Sequence, residues 1–290
     1  MFLSKLITPN MYLRIKELKY GNTVKQYKEL LLNNIRYKNI HKGERCFILA
    51  NGPSVNNLNF SLLKDEITFT VNQIVRNPQF EKLNANYHMW ADRIFFEIKD
   101  NNEEDIEMLQ VIKNVSKKSP NVEIFYEITA KPMIDKYHLD EYSNIAYFQS
   151  ITLNSDIMEK TLIDFTHCLP NYPTVIDYAI CLAVYMGFSR IYLLGCDCTG
   201  FINIAQNKMA EARNNLYAFE ISDNAAKRME RYSAQRNIRD ELNSYVALFD
   251  AYNKLGVYCK RNGVKLFNAT DGGLLECLPR VKLDEILKKY

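Results

Sequence analysis

The chain has 290 residues, 47% apolar and 24% charged, with only 10 glycines and 8 prolines. That length and balance suit a folded protein with a sizeable core and exclude a disordered or low-complexity chain. The net charge of +3 hides an asymmetry: residues 1–45 hold ten Lys/Arg against three Glu, leaving 27 basic and 31 acidic residues, net −4, in the rest.

The basic leading segment carries Tyr12, Leu13, Ile15, Leu18, Tyr27, Leu30, Leu31 and Ile35, the spacing of one or two amphipathic helices. It reads either as a surface for an anionic membrane or partner, or as a helix packed on the domain with a solvated basic face. No apolar run reaches the ~18–20 residues needed to span a bilayer, and no signal-peptide core is present, so a cytoplasmic location is expected, with peripheral contact at the inner membrane as the further option.

From residue 45 the pattern alternates. Residues 45–50 are a short apolar run ending at a glycine turn, as a buried parallel strand should. Residues 67–72, 87–91 and 122–126 read as further strands. Residues 102–114, acidic first and apolar at Ile106, Leu109, Val111 and Ile112, suit a helix. Residues 175–186 are apolar almost all round, hence a buried helix, with Gly187 placed to cap it. Residues 190–194 follow as a strand ending in Gly195-Cys196-Asp197. Residues 202–262 are helical and polar with a stripe at Leu242, Tyr245, Val246, Leu248, Phe249, Tyr252 and Leu255. A strand at 264–268, the loop Ala269-Thr270-Asp271-Gly272-Gly273 and a helix at 283–289 finish the chain.

These elements predict an α/β fold: a doubly wound, Rossmann-like, mostly parallel sheet over residues 45–290. A helical lid is expected at about 200–240, with a basic helical extension over residues 1–44. Ligands of such sheets bind outside the carboxyl ends of the strands, where the loops 51–54 and 195–199 fall. In Asn51-Gly52-Pro53-Ser54, Gly52 permits unusual backbone angles and close ligand approach, Pro53 stiffens the turn, and Ser54 is placed to cap a helix or meet a phosphate. The loop is neither a Walker loop nor a dinucleotide fingerprint.

The stretch Phe47-Ile48-Leu49-Ala50-Asn51-Gly52-Pro53-Ser54-Val55, followed by Val71-Asn72-Gln73, resembles the nucleotide site of bacterial lipooligosaccharide sialyltransferases. It is also similar to the wider group that includes motility-associated flagellin glycosyltransferases and archaeal hydroxymethylpterin diphosphokinase-like domains. The resemblance implies that Asn51 and Asn72 hold the CMP part of a CMP-sugar. A second block runs from Thr174 through Gly187 to Gly195-Cys196-Asp197. A third, Tyr217-Ala218-Phe219-Glu220, resembles a segment whose tyrosine steadies the leaving phosphate, and the 268–273 loop resembles the one that closes beside the nucleotide. The chain departs from the pattern in having no histidine after His167. It also has Asn171-Tyr172-Pro173 where an arginine is expected, and Cys198 or Thr199 where a tyrosine is. The base is then a carboxylate, or the reaction differs.

Asp92 and Asp197, at predicted strand ends, are the carboxylates placed to activate an acceptor hydroxyl; each could instead bind a metal or ribose, or cap a helix. No Asp-x-Asp pair is positioned for a metal, and the seven cysteines lack zinc spacing and read as reduced, mostly buried thiols. His88 and His167 read as structural. Arg213, Arg228, Arg231, Arg236 and Arg239 either neutralise a phosphate from the lid or form a solvated face.

The expectation is a metal-independent glycosyltransferase with no cofactor besides its CMP-sugar donor. Asn51, Gly52, Pro53, Ser54, Asn72, Thr174, Gly195, Asn268 and Thr270 would bind the donor, and Asp92, Asp197 and Tyr217 would act in catalysis. Its partners are a nucleotide-sugar and a glycan or lipid-linked saccharide. The rivals are an ATP- and magnesium-dependent diphosphokinase and a non-catalytic nucleotide-binding protein of glycan assembly. Nucleic acid is not expected as a partner, and the oligomeric state, a homo-oligomer included, stays open.

Overall fold

The computed structural model describes residues 8–19, 26–141, 143–152, 162–201, 217–233 and 237–288. Seven strands form one parallel sheet: β1 (Arg45–Leu49), β2 (Thr68–Val71), β3 (Tyr87–Trp90), β4 (Glu123–Glu127), β5 (Asn144–Phe148), β8 (Arg190–Leu194) and β9 (Lys265–Asn268). Their spatial order is β5-β4-β3-β2-β1-β8-β9, so the order reverses between β1 and β8. Two short strands, β6 (Ser150–Ile151) and β7 (Leu169–Pro170), pair separately.

Period-two alternation splits each strand between two cores. Cys46, Ile48, Met89, Phe125, Ile191 and Leu193 face one side; Phe47, Leu49, Trp90, Ile124, Tyr192 and Leu194 face the other. Both faces are covered, which is why these strands read as unbroken apolar runs. Each large side chain so buried contributes about 1.5–3 kcal/mol.

The first face is covered by α5 (Val175–Tyr185) and the last turns of α7 (Ile238–Arg261). The second is covered by α3 (Glu103–Lys118), with Ile106 exposed and Met108 and Val115 buried in its place. No α-helix follows Ser54: Pro53–Asn57 is a single 3-10 turn, and a second, Phe60–Leu63, leads towards β2. The expected stripe on α7 divides. Tyr252 and Leu255 are buried while Leu242 and Val246 are exposed. At 1.5 Å per residue this helix is about 36 Å long, roughly twice the length of the strands, so its first half runs past the sheet.

Residues 26–44 belong to the α/β unit. The short helix α2 (Lys28–Leu32) packs on β5, and Asn34 Nδ2 donates to the Tyr147 and Phe165 carbonyls at 2.7 and 2.9 Å. Residues 39–43 then close the end of α5: the N–H groups of Asn39 and His41 donate to the carbonyls of Tyr185 and Met186. Gly187, at φ +90°, takes the left-handed turn that ends α5, and a side chain there would press on Asn39 and Lys42. The helix α1 (Pro9–Lys19) touches the domain through Leu13, against Ile151 and Cys168.

Of the region expected to form a lid, residues 202–216 and 234–236, with Arg213 and Arg236, lie outside the described residues. The helix α6 (Asp223–Ser233) docks on α3. Its Arg228 Nε meets the fully buried Asp105 at 2.9 Å, and Arg231 meets the same carboxylate. These two arginines therefore hold α6 in place and do not face a phosphate. Arg239 lies on the exposed start of α7.

Burial pushes the Asp105 carboxyl up, but the two guanidinium groups outweigh it and hold it below the ordinary carboxylate range. The pair's stabilisation is thus complete above the unfolded carboxylate value and is lost as pH falls. Arg228→Ala should lower unfolding free energy by about 3 kcal/mol at neutral pH, measured from urea midpoints, because it strands part of a buried charge. A loss below about 1 kcal/mol would contradict this.

Candidate functional site

The reversal between β1 and β8 leaves a crevice at the strands' carboxyl ends, the position where doubly wound sheets take ligands. Its floor is made by two loops in direct contact. The Ala50 N–H donates to the Leu194 carbonyl at 2.8 Å, and the Gly52 N–H to the Gly195 carbonyl at 3.0 Å. A Cβ on Gly52 would overlap the Asp197 carboxylate and the Gly195 carbonyl; one on Gly195, which sits at φ +71°, would overlap Val55. Gly52 itself has φ −70° and ψ 155°, angles open to any residue. Both glycines thus serve the contact between loops, which corrects the expectation that Gly52 was needed for unusual backbone angles.

Ser54 and Asp197 complete this contact. The Ser54 N–H donates to Asp197 Oδ1 at 3.2 Å, and its hydroxyl to Oδ2 at 2.8 Å. Asp197 is buried; desolvation raises its pKa above the usual carboxylate value against these hydrogen bonds, and the nearby charge of Asp271 adds to the rise. Ser54 therefore spends its donors on a carboxylate, and Asp197 is fixed from both oxygens. The third loop closes from the other side: the Cys196 N–H donates to Thr270 Oγ1 at 3.0 Å and the Leu274 N–H to the Asp197 carbonyl at 2.8 Å. Asn268, fully buried, donates to the Leu275 carbonyl and accepts from the Thr270 N–H. Asn268 braces the closing loop from inside, whereas Thr270, bonded to Cys196, also lines a hollow of about 300 Å³ at these strand ends with Ser54, Gly195 and Asp271.

The cleft above this floor has a volume of about 440 Å³ and is lined by Asn51, Pro53, Thr174, Tyr217, Tyr245 and Tyr252, among others. The Asn51 carbonyl accepts the Ala218 N–H at 2.9 Å, whereas Asn51 Oδ1 is buried without a hydrogen-bond partner. Asn77 donates to the Ala218 carbonyl, and Asn56 Nδ2 to that of Tyr217 at 3.1 Å. These bonds, with the Tyr217–Phe219 ring stack, fasten residues 217–219 to the β1 loop and so bring Tyr217 to the crevice. Tyr245 is pushed up to about 12, first by burial and then by Tyr217, so its hydroxyl is a donor at neutral pH.

Thr174 is the N-cap of α5. Its hydroxyl accepts the Asp177 N–H, and Asp177 Oδ2 accepts from the Thr174 N–H at 3.0 Å and hydroxyl at 2.9 Å, a reciprocal cap. Thr174 also borders a second, polar cleft of about 460 Å³, lined by Asp92, Arg93, Glu127, Ser150, Asn171 and Tyr178. Trp90 of β3 pairs with Tyr126 of β4, so Asp92 and Glu127 stand at neighbouring strand ends. Asn72, held at φ +46°, donates from Nδ2 to Asp92 Oδ2 at 3.0 Å, and its own Oδ1 is buried without a partner.

Asn51, Thr174, Asp92 and Tyr217 therefore gather around two adjoining clefts, with Asn72 bonded to Asp92; Gly52, Gly195 and Asp197 line the first cleft while also joining its loops, and Ser54, Asn268 and Thr270 brace them. Glu127 and Tyr245 join the set without having been singled out. Glu127 directly follows the strand-like run 122–126, the same kind of position as Asp92, and that was its signal. His88 is fully buried with its pKa pushed down to about 3 by burial, a neutral core histidine bonded to Thr70. Among the described residues no group of three or more His, Cys, Asp or Glu is gathered to hold a metal. Comparison with protein-family profiles, characterised proteins and solved structures finds no match to this chain.

Asp177 is fully buried, and desolvation raises its pKa to about 7 against its bonds to Thr174. The folded state thus keeps a proton that the unfolded chain has released, so this contribution is full below the unfolded value of 3.8 and lost as pH rises through about 7. It amounts to roughly 4 kcal/mol. Asp177→Asn should gain stability over the wild type progressively between about pH 4 and 7 in thermal melts and level off above that; a difference independent of pH would refute the assignment. Gly52→Ala should destabilise by about 1–3 kcal/mol through overpacking against the Gly195 backbone, read from the urea midpoint. An unshifted midpoint would mean that the loops do not need their close contact.

Proposed function

We propose that the chain is a glycosyltransferase that moves a nonulosonic, sialic-acid-like sugar from a CMP-activated donor to a hydroxyl of a cell-surface glycan, without a metal ion. The observation that carries this reading is the meeting of two clefts of different character at Thr174. One, at the strand-order reversal, offers amide and tyrosine groups; the other offers carboxyl, hydroxyl and amide groups.

In this reading the CMP moiety lies in the first cleft. The unpartnered oxygens of Asn51 and Asn72 are acceptors for the donor groups of a nucleoside, since a buried polar atom left unpaired is costly. Neutral tyrosine donors, Tyr217 and Tyr245, suit a single phosphate that gains charge as the glycosidic bond breaks. The sugar acceptor occupies the polar cleft. Asp92, oriented by Asn72, takes the proton of the attacking hydroxyl, with Glu127 one strand over to hold a neighbouring hydroxyl. Asp197, committed to Ser54, is assigned to the frame and not to proton transfer. The reaction would take place on the cytoplasmic side.

Calorimetry with CMP, CDP, UMP, GDP and ATP, each with and without magnesium, tests the reading. CMP should bind without metal, and Asn51→Ala should weaken it by about 1–3 kcal/mol, the loss of a buried hydrogen bond. A preference for ATP with magnesium would instead favour a diphosphokinase. CMP affinity unchanged in Asn51→Ala would contradict the placement of the nucleotide.

A further inference from the structure

The basic leading segment has a role that the clefts do not absorb. Helix α1 presents two opposed apolar faces. Leu13 turns inward, 3% exposed, against Ile151 and Cys168. Met11, Ile15 and Leu18 are 53%, 38% and 77% exposed. At 100° per residue these three fall within an arc of about 60° on the opposite side of the helix from Leu13. Beside α1 stands Leu162, also exposed, its N–H bonded to Asn10 Oδ1 at 2.8 Å.

The charges are sorted with the same polarity. The single acid of α1, Glu17, is drawn inward, accepting the Cys168 N–H at 2.7 Å and facing His167 at 3.5 Å. Lys16 and Lys19 lie along one flank of the outer stripe, and Arg14, itself bonded to Glu17, along the other. The next segment, which reaches the same 163–168 stretch through Asn34, adds Lys28, Arg36, Lys38 and Lys42 with exposed Leu32, Ile35 and Ile40.

We propose that α1 is an in-plane anchor that lays Met11, Ile15 and Leu18 into the surface of an anionic lipid bilayer, with Lys16 and Lys19 meeting the head groups. An outward apolar stripe flanked by cations is the form such anchors take. Three side chains fall well short of the ~800 Å² per partner that a stable dimer buries, so a second copy of the chain is the poorer occupant. No described helix is long and apolar enough to cross the membrane, and α1, with 11 residues, spans only about 16 Å.

The test is flotation of the full chain with vesicles of neutral phosphatidylcholine, and with vesicles of about one third phosphatidylglycerol, at low and high salt. Binding should require the anionic lipid and weaken with salt. Ile15→Glu with Leu18→Glu, and separately Lys16→Glu with Lys19→Glu, should each lower the partition coefficient about tenfold or more. Both pairs lie on exposed or half-exposed positions, and the milder Leu18→Ser provides the same readout should either melt early. The proposal is overturned by equal binding to neutral vesicles, by no binding at all, or by variants that float like the wild type. A wild-type dimer in light scattering that Leu18→Ser dissociates, with no vesicle binding, would assign the stripe to a second copy instead.

Discussion

The site depends on one close approach. Where the strand order reverses, the loops after β1 and β8 must touch, and they do so only because both contact points lack a Cβ. Two backbone bonds join the loops, and Ser54 then clasps the Asp197 carboxylate through its N–H and hydroxyl. The closing loop after β9 adds a third wall through Thr270 and Leu274. The crevice floor is therefore a rigid assembly of three strand ends, held by groups that are saturated among themselves.

That saturation decides which side chains remain for a ligand. Ser54 has both its donors on Asp197, and the buried amide of Asn268 is bonded through both its nitrogen and its oxygen. Among the described residues, the amide oxygens of Asn51 and Asn72 are buried without a partner, and Asn51, Tyr217 and Tyr245 line the first cleft. Asp92 is different again, because Asn72 holds one of its oxygens while the carboxylate lines the polar cleft. The frame and the working groups are thus separated, although they alternate along the same short loops.

Much of the fold is legible in sequence because each central strand is buried on both faces, which leaves an unmistakable apolar run ending in a turn residue. Thus β1 and β8 lie within a residue of their expected bounds. The edge strand β5 escapes because Asn144-Ile145-Ala146-Tyr147-Phe148 is short and mixed, and only its pairing with β4 makes it a strand. The position of the crevice is also legible, since it follows from where strands end. The division of labour within it is not. Ser54 and Asp197 are 143 residues apart, and nothing in either local stretch reveals that each satisfies the other. Arg228 and Arg231 likewise read as a charged helix face until the buried Asp105 opposite them is seen.

The central claim is that the crevice between β1 and β8 receives a nucleotide. Hydrogen exchange of the full chain with and without CMP reports this directly, peptide by peptide. The account predicts slowed exchange confined to residues 50–54, 72–77, 174–178 and 217–219. Slowing centred on the separate hollow beside Lys113 and Tyr126, or no slowing anywhere at saturating CMP, would contradict it.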